Sequence, residues 1–142
     1  WLRHQYAYGR LGEEEPHLVE LGAGTGACGL IAAAHGARAV LTDSDPRVLA
    51  LLRANVADFA RRNAAADVPQ VKVPSVARLD ASSASDAHAL VQEHGHFDIV
   101  LCSDILYEHR LLVPLFEAID LLLRPGDEGS SCSGSAKGSP AT

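Results

Sequence analysis

From His17 to Gly29 the chain reads His-Leu-Val-Glu-Leu-Gly-Ala-Gly-Thr-Gly-Ala-Cys-Gly, and no other stretch restricts the possible folds as much. The apolar run Leu18, Val19 and Leu21 predicts a short buried strand, which stops at Gly22-Ala23-Gly24-Thr25-Gly26. Beyond it, Ala27 to Ala34 has helix-forming composition and a face of small residues. Strand, glycine turn and helix in that order bring backbone N–H groups and a helix N-terminus up against a ligand. Glycines there permit positive φ and leave no Cβ between main chain and ligand. Glu20 is the odd residue. An unpaired carboxylate at a buried strand end is costly, so a polar or cationic neighbour is expected.

The rest of the chain alternates in kind. The first helix is expected to run to about His35, with Gly36 as its left-handed C-terminal residue. Ala37 to Thr42 predicts a second strand ending at Asp43, and Asp45-Pro46 supplies an N-cap followed by proline at the first helical position. Val48, Leu49, Leu52, Val56 and Phe59 recur at spacings of three and four, the stripe of an amphipathic helix to about Arg62. After a loop from Asn63 to Gln70, a third strand is expected within Val71 to Leu79. Pro74 restricts it to an edge position or to the residues after the proline. Ala81 to Ser85 reads as a loop, Asp86 to His94 as a helix ended by Gly95, and Phe97 to Cys102 as the fourth strand. Leu111, Leu112, Leu115, Ile119 and Leu122 mark a fourth helix, stopped by Pro125-Gly126.

The flanks differ. Trp1 to Tyr8 is aromatic and polar, the expected end of a helix, and Gly9 to Pro16 reads as a turn-rich linker. Asp127 to Thr142 is Gly, Ser and Ala with almost nothing apolar, and disorder is expected there.

Strands alternating with helices imply an α/β fold with a parallel sheet and right-handed crossovers. Ligands in such sheets bind beyond the carboxyl ends of the strands. The residues at those ends are the glycine turn, Asp43, Asp80 and Asp104. Three acids and a glycine loop are thereby expected on one edge of the sheet.

Composition narrows the partners. With 142 residues, 47% of them hydrophobic, the chain suffices for one domain with a real core. A net charge of -6 disfavours nucleic-acid backbones, which need clustered Lys and Arg. No apolar run approaches the roughly 20 residues of a membrane helix. Cys28, Cys102 and Cys132 are odd in number and lack metal-ligand spacing, and the first two fall in elements predicted to be buried. A reduced, intracellular protein is expected, cytoplasmic and possible in the nucleus, with no membrane or nucleic-acid partner. The sequence does not address oligomeric state.

Gly24 to Gly29 matches G-x-G-x-x-G, and Asp43 follows 19 positions after Gly24. Taken alone this fits NAD as well as other adenosine cofactors, with Asp43 accepting hydrogen bonds from ribose hydroxyls. Asp43 also reads simply as a turn aspartate ahead of a helix. Glu20-Leu21-Gly22-Ala23-Gly24-Thr25-Gly26, however, resembles the E/D-x-G-x-G-x-G motif of class I S-adenosylmethionine-dependent methyltransferases. The whole stretch Leu18 to Asn55 reads like that family, and Phe97 to Tyr107 resembles one branch of it. That branch is the seven-β-strand protein-lysine methyltransferases of the METTL21 and FAM86 groups, whose Asp-x-x-Tyr motif is Asp104 to Tyr107 here. The likeness covers roughly Leu18 to Gly126.

The resemblance implies a Rossmann-like sheet, S-adenosylmethionine as cofactor and a lysine side chain of a protein as acceptor. It puts Glu20, Gly22, Ala23, Gly24, Thr25, Gly26, Asp43, Asp80 and Ser103 at the cofactor, with no metal, and assigns Asp104 and Tyr107 the catalytic task of anchoring and orienting the amine. Glu20 is expected near the cofactor's amino group and Asp43 at its ribose diol. An aromatic that usually follows the acid at Asp80 is replaced by Ala81. The family's sheet has seven strands, whereas this chain turns into a Gly/Ser tail after the fourth. About four strands in order 3-2-1-4 are therefore expected, forming an incomplete domain over residues 1–126 with impaired activity and an open apolar edge on the fourth strand.

Other readings carry less. An NAD-dependent oxidoreductase is disfavoured by Glu20 and by the lack of a Tyr-x-x-x-Lys pair. A nucleic-acid adenine methyltransferase would carry prolines after the fourth strand, where Ser103-Asp104-Ile105-Leu106-Tyr107 has none. A small-molecule acceptor and an inactive cofactor-binding or interaction module stay open. His94-Gly95-His96 reads as an exposed loop, Glu13-Glu14-Glu15 as a solvated run, and Cys28 as a helix-face residue with nothing to activate it.

Overall fold

The computed structural model describes residues 15–66, 71–105 and 109–123. Four strands, β1 (His17–Leu21), β2 (Arg38–Asp43), β3 (Ser75–Arg78) and β4 (Ile99–Cys102), form one parallel sheet in the order β3-β2-β1-β4. Four helices alternate with them: α1 (Ala27–Ala34), α2 (Pro46–Ala65), α3 (Ala84–His94) and α4 (Leu112–Leu122), the last preceded by a short 3-10 turn at His109–Leu111. The expected order of strands is the order found.

The sheet is covered on both faces, which is why every residue of β1 is buried, His17 and Glu20 included. Its side chains alternate between two cores. Leu18 packs with Ala39 and Leu41 of β2 against Ala32 and Ala33 of α1 and Leu49, Leu52 and Val56 of α2. Val19 and Leu21 point the other way, with Val40, to meet Leu90 of α3, Phe97, and Leu115 and Leu122 of α4. Glu20 shares the Leu18 face by that alternation and is 2% exposed.

Several elements differ from expectation at their ends. The α2 helix continues to Ala65; its N-cap is Asp45, whose carboxylate accepts the Arg47 N–H, with Pro46 next. The α3 helix begins at Ala84, not Asp86, because the Ser83 hydroxyl accepts the Asp86 N–H and caps the first turn. Ser83 thus ends the loop two residues before the end of the stretch read as Ala81 to Ser85. The third strand occupies only the four residues after Pro74 and lies at the sheet edge, so both restrictions set by the proline hold. At its other end α3 stops at His94 with Gly95 as C-cap, as expected.

The fourth strand is also shorter than Phe97 to Cys102. Phe97 stands outside β4 in a parallel bridge with Leu123, donating its N–H to the Leu122 carbonyl at 2.9 Å. Cys28 and Cys102, expected buried, are both exposed. The α1 helix buries Gly29, Ala32 and Ala33, and Cys28 lies off that face. The expectations for Trp1 to Tyr8, most of the Gly9 to Pro16 linker and the tail from Asp127 lie outside the described residues. Glu15, the last of the acidic run, forms an ion pair with Lys72.

Candidate functional site

The carboxyl ends of β1 and β2 build the site. At Gly22, Gly24 and Gly26 φ is +61°, +56° and +80°, so the turn after β1 takes three left-handed steps that side chains resist. A Cβ on Gly26 would come within 2.5 Å of the Leu52 methyl group, so α2 packs directly beneath the turn. A Cβ on Gly24 would meet nothing within 4 Å. The main chain is therefore open at Gly24, where a ligand could approach it.

Side chains and main chain of neighbouring elements hold the loop. Thr42 of β2 donates its hydroxyl to the Glu20 carbonyl at 2.8 Å, and its own carbonyl accepts the Ala23 N–H at 2.8 Å. Asp43 accepts the Gly24 N–H at 3.2 Å through one carboxylate oxygen and the Asp45 N–H at 3.0 Å through the other. Glu20 accepts the Gly29 N–H at 2.9 Å. Gly29 is in the first turn of α1, where a helix leaves its N–H groups without intrahelical partners. The expected polar neighbour of Glu20 is thus a backbone amide. Burial pushes the Glu20 carboxyl above the usual carboxylate range, and the Gly29 hydrogen bond only partly opposes it.

Gly22, Asp43, Asp80 and Asp104 all line one open pocket of about 230 Å³, with Ala81, Ile105, Leu111 and Leu115 among its apolar walls. This is the convergence expected at the strand ends. Asp80 sits in a tight turn: its carboxylate accepts both the N–H and the hydroxyl of Ser82, at 2.9 and 2.6 Å, and these bonds hold its pKa below the usual value. Its own N–H donates to Asp86 of α3 at 3.0 Å. Asp104 follows β4 with φ of +56°, the sole non-glycine with positive φ among the described residues. Such a conformation in an L-residue stores strain of about 1–3 kcal/mol and clusters at functional sites.

The remaining expected residues are placed differently. Glu20, Ala23 and Gly26 are buried behind the loop, Gly24 is half-buried, and Thr25 and Ser103 are exposed; none of the six lines the pocket. Tyr107 lies outside the described residues. Two side chains that sequence reading passed over also act here. Asp86 supports Asp80, and Asn55 of α2 donates its amide to the Thr25 carbonyl at 2.9 Å. The Ser83-x-x-Asp86 spacing signals the first, since Ser, two residues and an acid is a capping pattern. Asn55 closes the stretch whose sequence resembles the family, and its place beside the buried Leu52 and Val56 is a second signal, but neither gave it a role. Among the described residues no group of three or more His, Cys, Asp and Glu could hold a metal ion.

A parallel sheet of order 3-2-1-4, with a glycine turn after the first strand and acids after the next ones, is the α/β fold of class I methyltransferases. Solved structures with this fold include the glycopeptide N-methyltransferase MtfA complexed with S-adenosylmethionine. It is 18% identical with a TM-score of 0.60, over 87% of this chain and 50% of that one. An S-adenosylmethionine-dependent methyltransferase from Anabaena variabilis is 15% identical with a TM-score of 0.61, over 86% of this chain and 45% of that one. At such identities the likeness is one of fold.

The chain belongs to the lysine methyltransferase family, whose model matches residues 1–132. It is similar to the protein-lysine methyltransferase METTL21E of Mus musculus, 30% identical over 110 residues, which are 78% of this chain and 42% of the relative. The protein N-lysine methyltransferase METTL21A of Danio rerio is 29% identical over 114 residues, 80% of this chain and 47% of the relative. The chain therefore spans less than half the length of these two relatives.

Proposed function

We propose that this chain is the donor-binding part of an S-adenosylmethionine-dependent protein-lysine N-methyltransferase. The observation that carries the reading is the meeting of Gly22, Asp43, Asp80 and Asp104 in one pocket beside a glycine loop with an open face. The residues fit such a cofactor. The loop offers main chain without a Cβ at Gly24, and Asp43 keeps lone pairs on both oxygens for a ribose diol. Glu20, one oxygen engaged by Gly29, keeps the other for an ammonium group. Ala23, Thr25, Gly26 and Ser103 complete the assignment as neighbours of the cofactor, and Asp80 takes the adenine side. Domain bounds of residues 1–126 follow from the same reading.

When bound, S-adenosylmethionine supplies a methyl group on a sulfonium sulfur. The chain's own residues must then orient an acceptor amine and keep it neutral. Lysine's reference pKa is about 10.4, and lowering it to near 8 costs about 3 kcal/mol. The apolar walls formed by Ile105, Leu111 and Leu115 favour the uncharged amine by withholding water. Asp104, held by its strained backbone at the pocket rim, orients the amine, and Tyr107 of the same Asp-x-x-Tyr segment is its assigned companion.

The family and its relatives support a protein acceptor, and the net charge of -6 argues against nucleic acid. No helix among the described residues is long and apolar enough to cross a membrane. A reduced compartment, cytoplasm or nucleus, suits cysteines with no disulfide among the described residues. Calorimetric titration with S-adenosylhomocysteine and with NAD tests the cofactor assignment: saturable binding of the first alone is expected, and tighter binding of NAD overturns it. Incubation with radiolabelled S-adenosylmethionine and cell lysate tests the acceptor. Label on a protein that disappears in Asp104→Ala is expected, and label confined to small molecules overturns the protein assignment.

A further inference from the structure

Thr25 sits at the tip of the glycine loop between two left-handed residues, Gly24 and Gly26. Loop amides on either side have partners nearby: Gly24 N–H donates to Asp43 and Gly26 N–H to the Ala23 carbonyl at 2.7 Å. The carbonyl of Thr25 is held from outside the loop, by the Asn55 amide at 2.9 Å, thirty residues away. Asn55 is firmly based. Leu52 and Val56, a turn before and one residue after it, are 0% and 8% exposed and belong to the core beneath the sheet. Leu52 is also the residue against which Gly26 packs.

We infer that Asn55 is a positioning residue that sets the geometry of the glycine loop and hence cofactor affinity; this rests on the donor-binding role proposed above. The physical reason is local. Two consecutive peptide planes flank Thr25, and glycine at both ends leaves them free to rotate. The Thr25 carbonyl belongs to the second of these planes, whose Gly26 N–H is held by Ala23, and the Asn55 hydrogen bond pins that plane at its other end. Without it, the main-chain groups facing the ligand are presented in several arrangements, and binding must select one of them. Asn55 itself does not line the pocket, so it acts through Thr25 and not by contact.

Asn55→Asp tests this with nearly the same shape but no N–H donor, and Asn55→Ala checks it without adding charge. Two readouts are used on the full chain. In the unliganded protein, hydrogen exchange of the Gly24 and Gly26 amides is expected to quicken about five- to ten-fold in both variants, with the melting temperature nearly unchanged. Kd for S-adenosylhomocysteine is expected to rise by a similar factor, with Arg53→Ala, on the exposed side of α2, as an unaffected control. Unchanged exchange overturns the inference. So does a Kd within two-fold of the parent, or an affinity loss matched by a fall in melting temperature of the unliganded protein. Should the parent chain not bind S-adenosylhomocysteine, the donor-binding reading fails instead, and loop exchange alone decides the role of Asn55.

Discussion

Glu20 at the end of β1 accepts the main-chain N–H of Gly29, nine positions later in the first turn of α1, at 2.9 Å. One buried carboxylate thereby ties strand to helix across the glycine turn. Glu20→Gln keeps an acceptor of the same shape and removes the buried charge. Because burial raises the Glu20 pKa, the ionised form is the less stable one in the fold, and its penalty grows as pH rises from 4.5 through the raised value. Chemical denaturation at pH 7 should therefore find Glu20→Gln as stable as the parent or more so. Glu20→Ala, which strands the Gly29 N–H, should lose about 1–3 kcal/mol. A Glu20→Gln variant that folds well yet binds S-adenosylhomocysteine poorly would separate a ligand contact from the structural one.

Gly29 has no room for a side chain. A Cβ there would stand 2.0 Å from a Leu41 methyl group and 2.6 Å from the Glu20 carboxylate oxygen. Gly29→Ala should cost at least about 1–3 kcal/mol, as overpacking of a rigid core does. Thermal melting reads it directly.

Asp43 serves the loop and, in our reading, the ribose together. Asp43→Ala removes the acceptor of two backbone N–H groups, Gly24 and Asp45. Hydrogen bonds to a charged group are worth about 1.5–3 kcal/mol. Calorimetry should show S-adenosylhomocysteine affinity reduced ten-fold or more, and affinity retained in Asp43→Ala would remove Asp43 from the cofactor site.

Asp104 offers a different test, since its backbone already occupies glycine's conformation. Asp104→Gly relieves about 1 kcal/mol of left-handed strain, and glycine's extra freedom in the unfolded chain offsets most of it. Denaturation midpoints should stay within a few degrees of the parent while labelling of protein acceptors disappears. A large loss of stability would mean that the carboxylate holds the fold instead.

His17 sets the acid limit. Its ring is 7% exposed, lies against Phe97 with centroids 4.3 Å apart, and pairs Nδ1 with the His96 carbonyl at 3.0 Å. Among the described residues its Nε2 is buried without a partner. Burial lowers its pKa from 6.5, so below that value the unfolded chain binds the proton more readily and stability falls with pH. Asp45, held at about 2, acts only at far lower pH. Stability measured from pH 7 to 5 should drop less steeply in His17→Gln than in the parent; equal slopes would acquit His17.

Much of this arrangement was legible in the sequence, for reasons that also explain the gaps. Alternating strands and helices, the Gly22 to Gly26 turn and the Asp45-Pro46 cap are local signals, and they were enough for the elements and a parallel sheet; the strand order rested on the family resemblance. The meeting of Asp43, Asp80 and Asp104 follows from parallel topology alone, since each lies just at or past a strand end. Partners that are backbone groups leave no mark on the sequence, and so the Gly29 amide under Glu20 and the Thr25 carbonyl under Asn55 were not foreseen. The exposure of Cys28 was missed because α1 is apolar nearly all round, and its buried face is chosen by close packing at Gly29, Ala32 and Ala33.

The bridge from Phe97 to Leu123 has a consequence for how two such molecules could meet. Two copies related by a twofold axis can join their β4 edges only in antiparallel fashion. Leu123, however, already runs parallel beside Phe97 and takes up its N–H through the Leu122 carbonyl. The start of the edge is thus occupied with the wrong polarity for a symmetric partner. Self-pairing would be confined to the four residues of β4, too short a seam to hold a dimer by main-chain bonds alone.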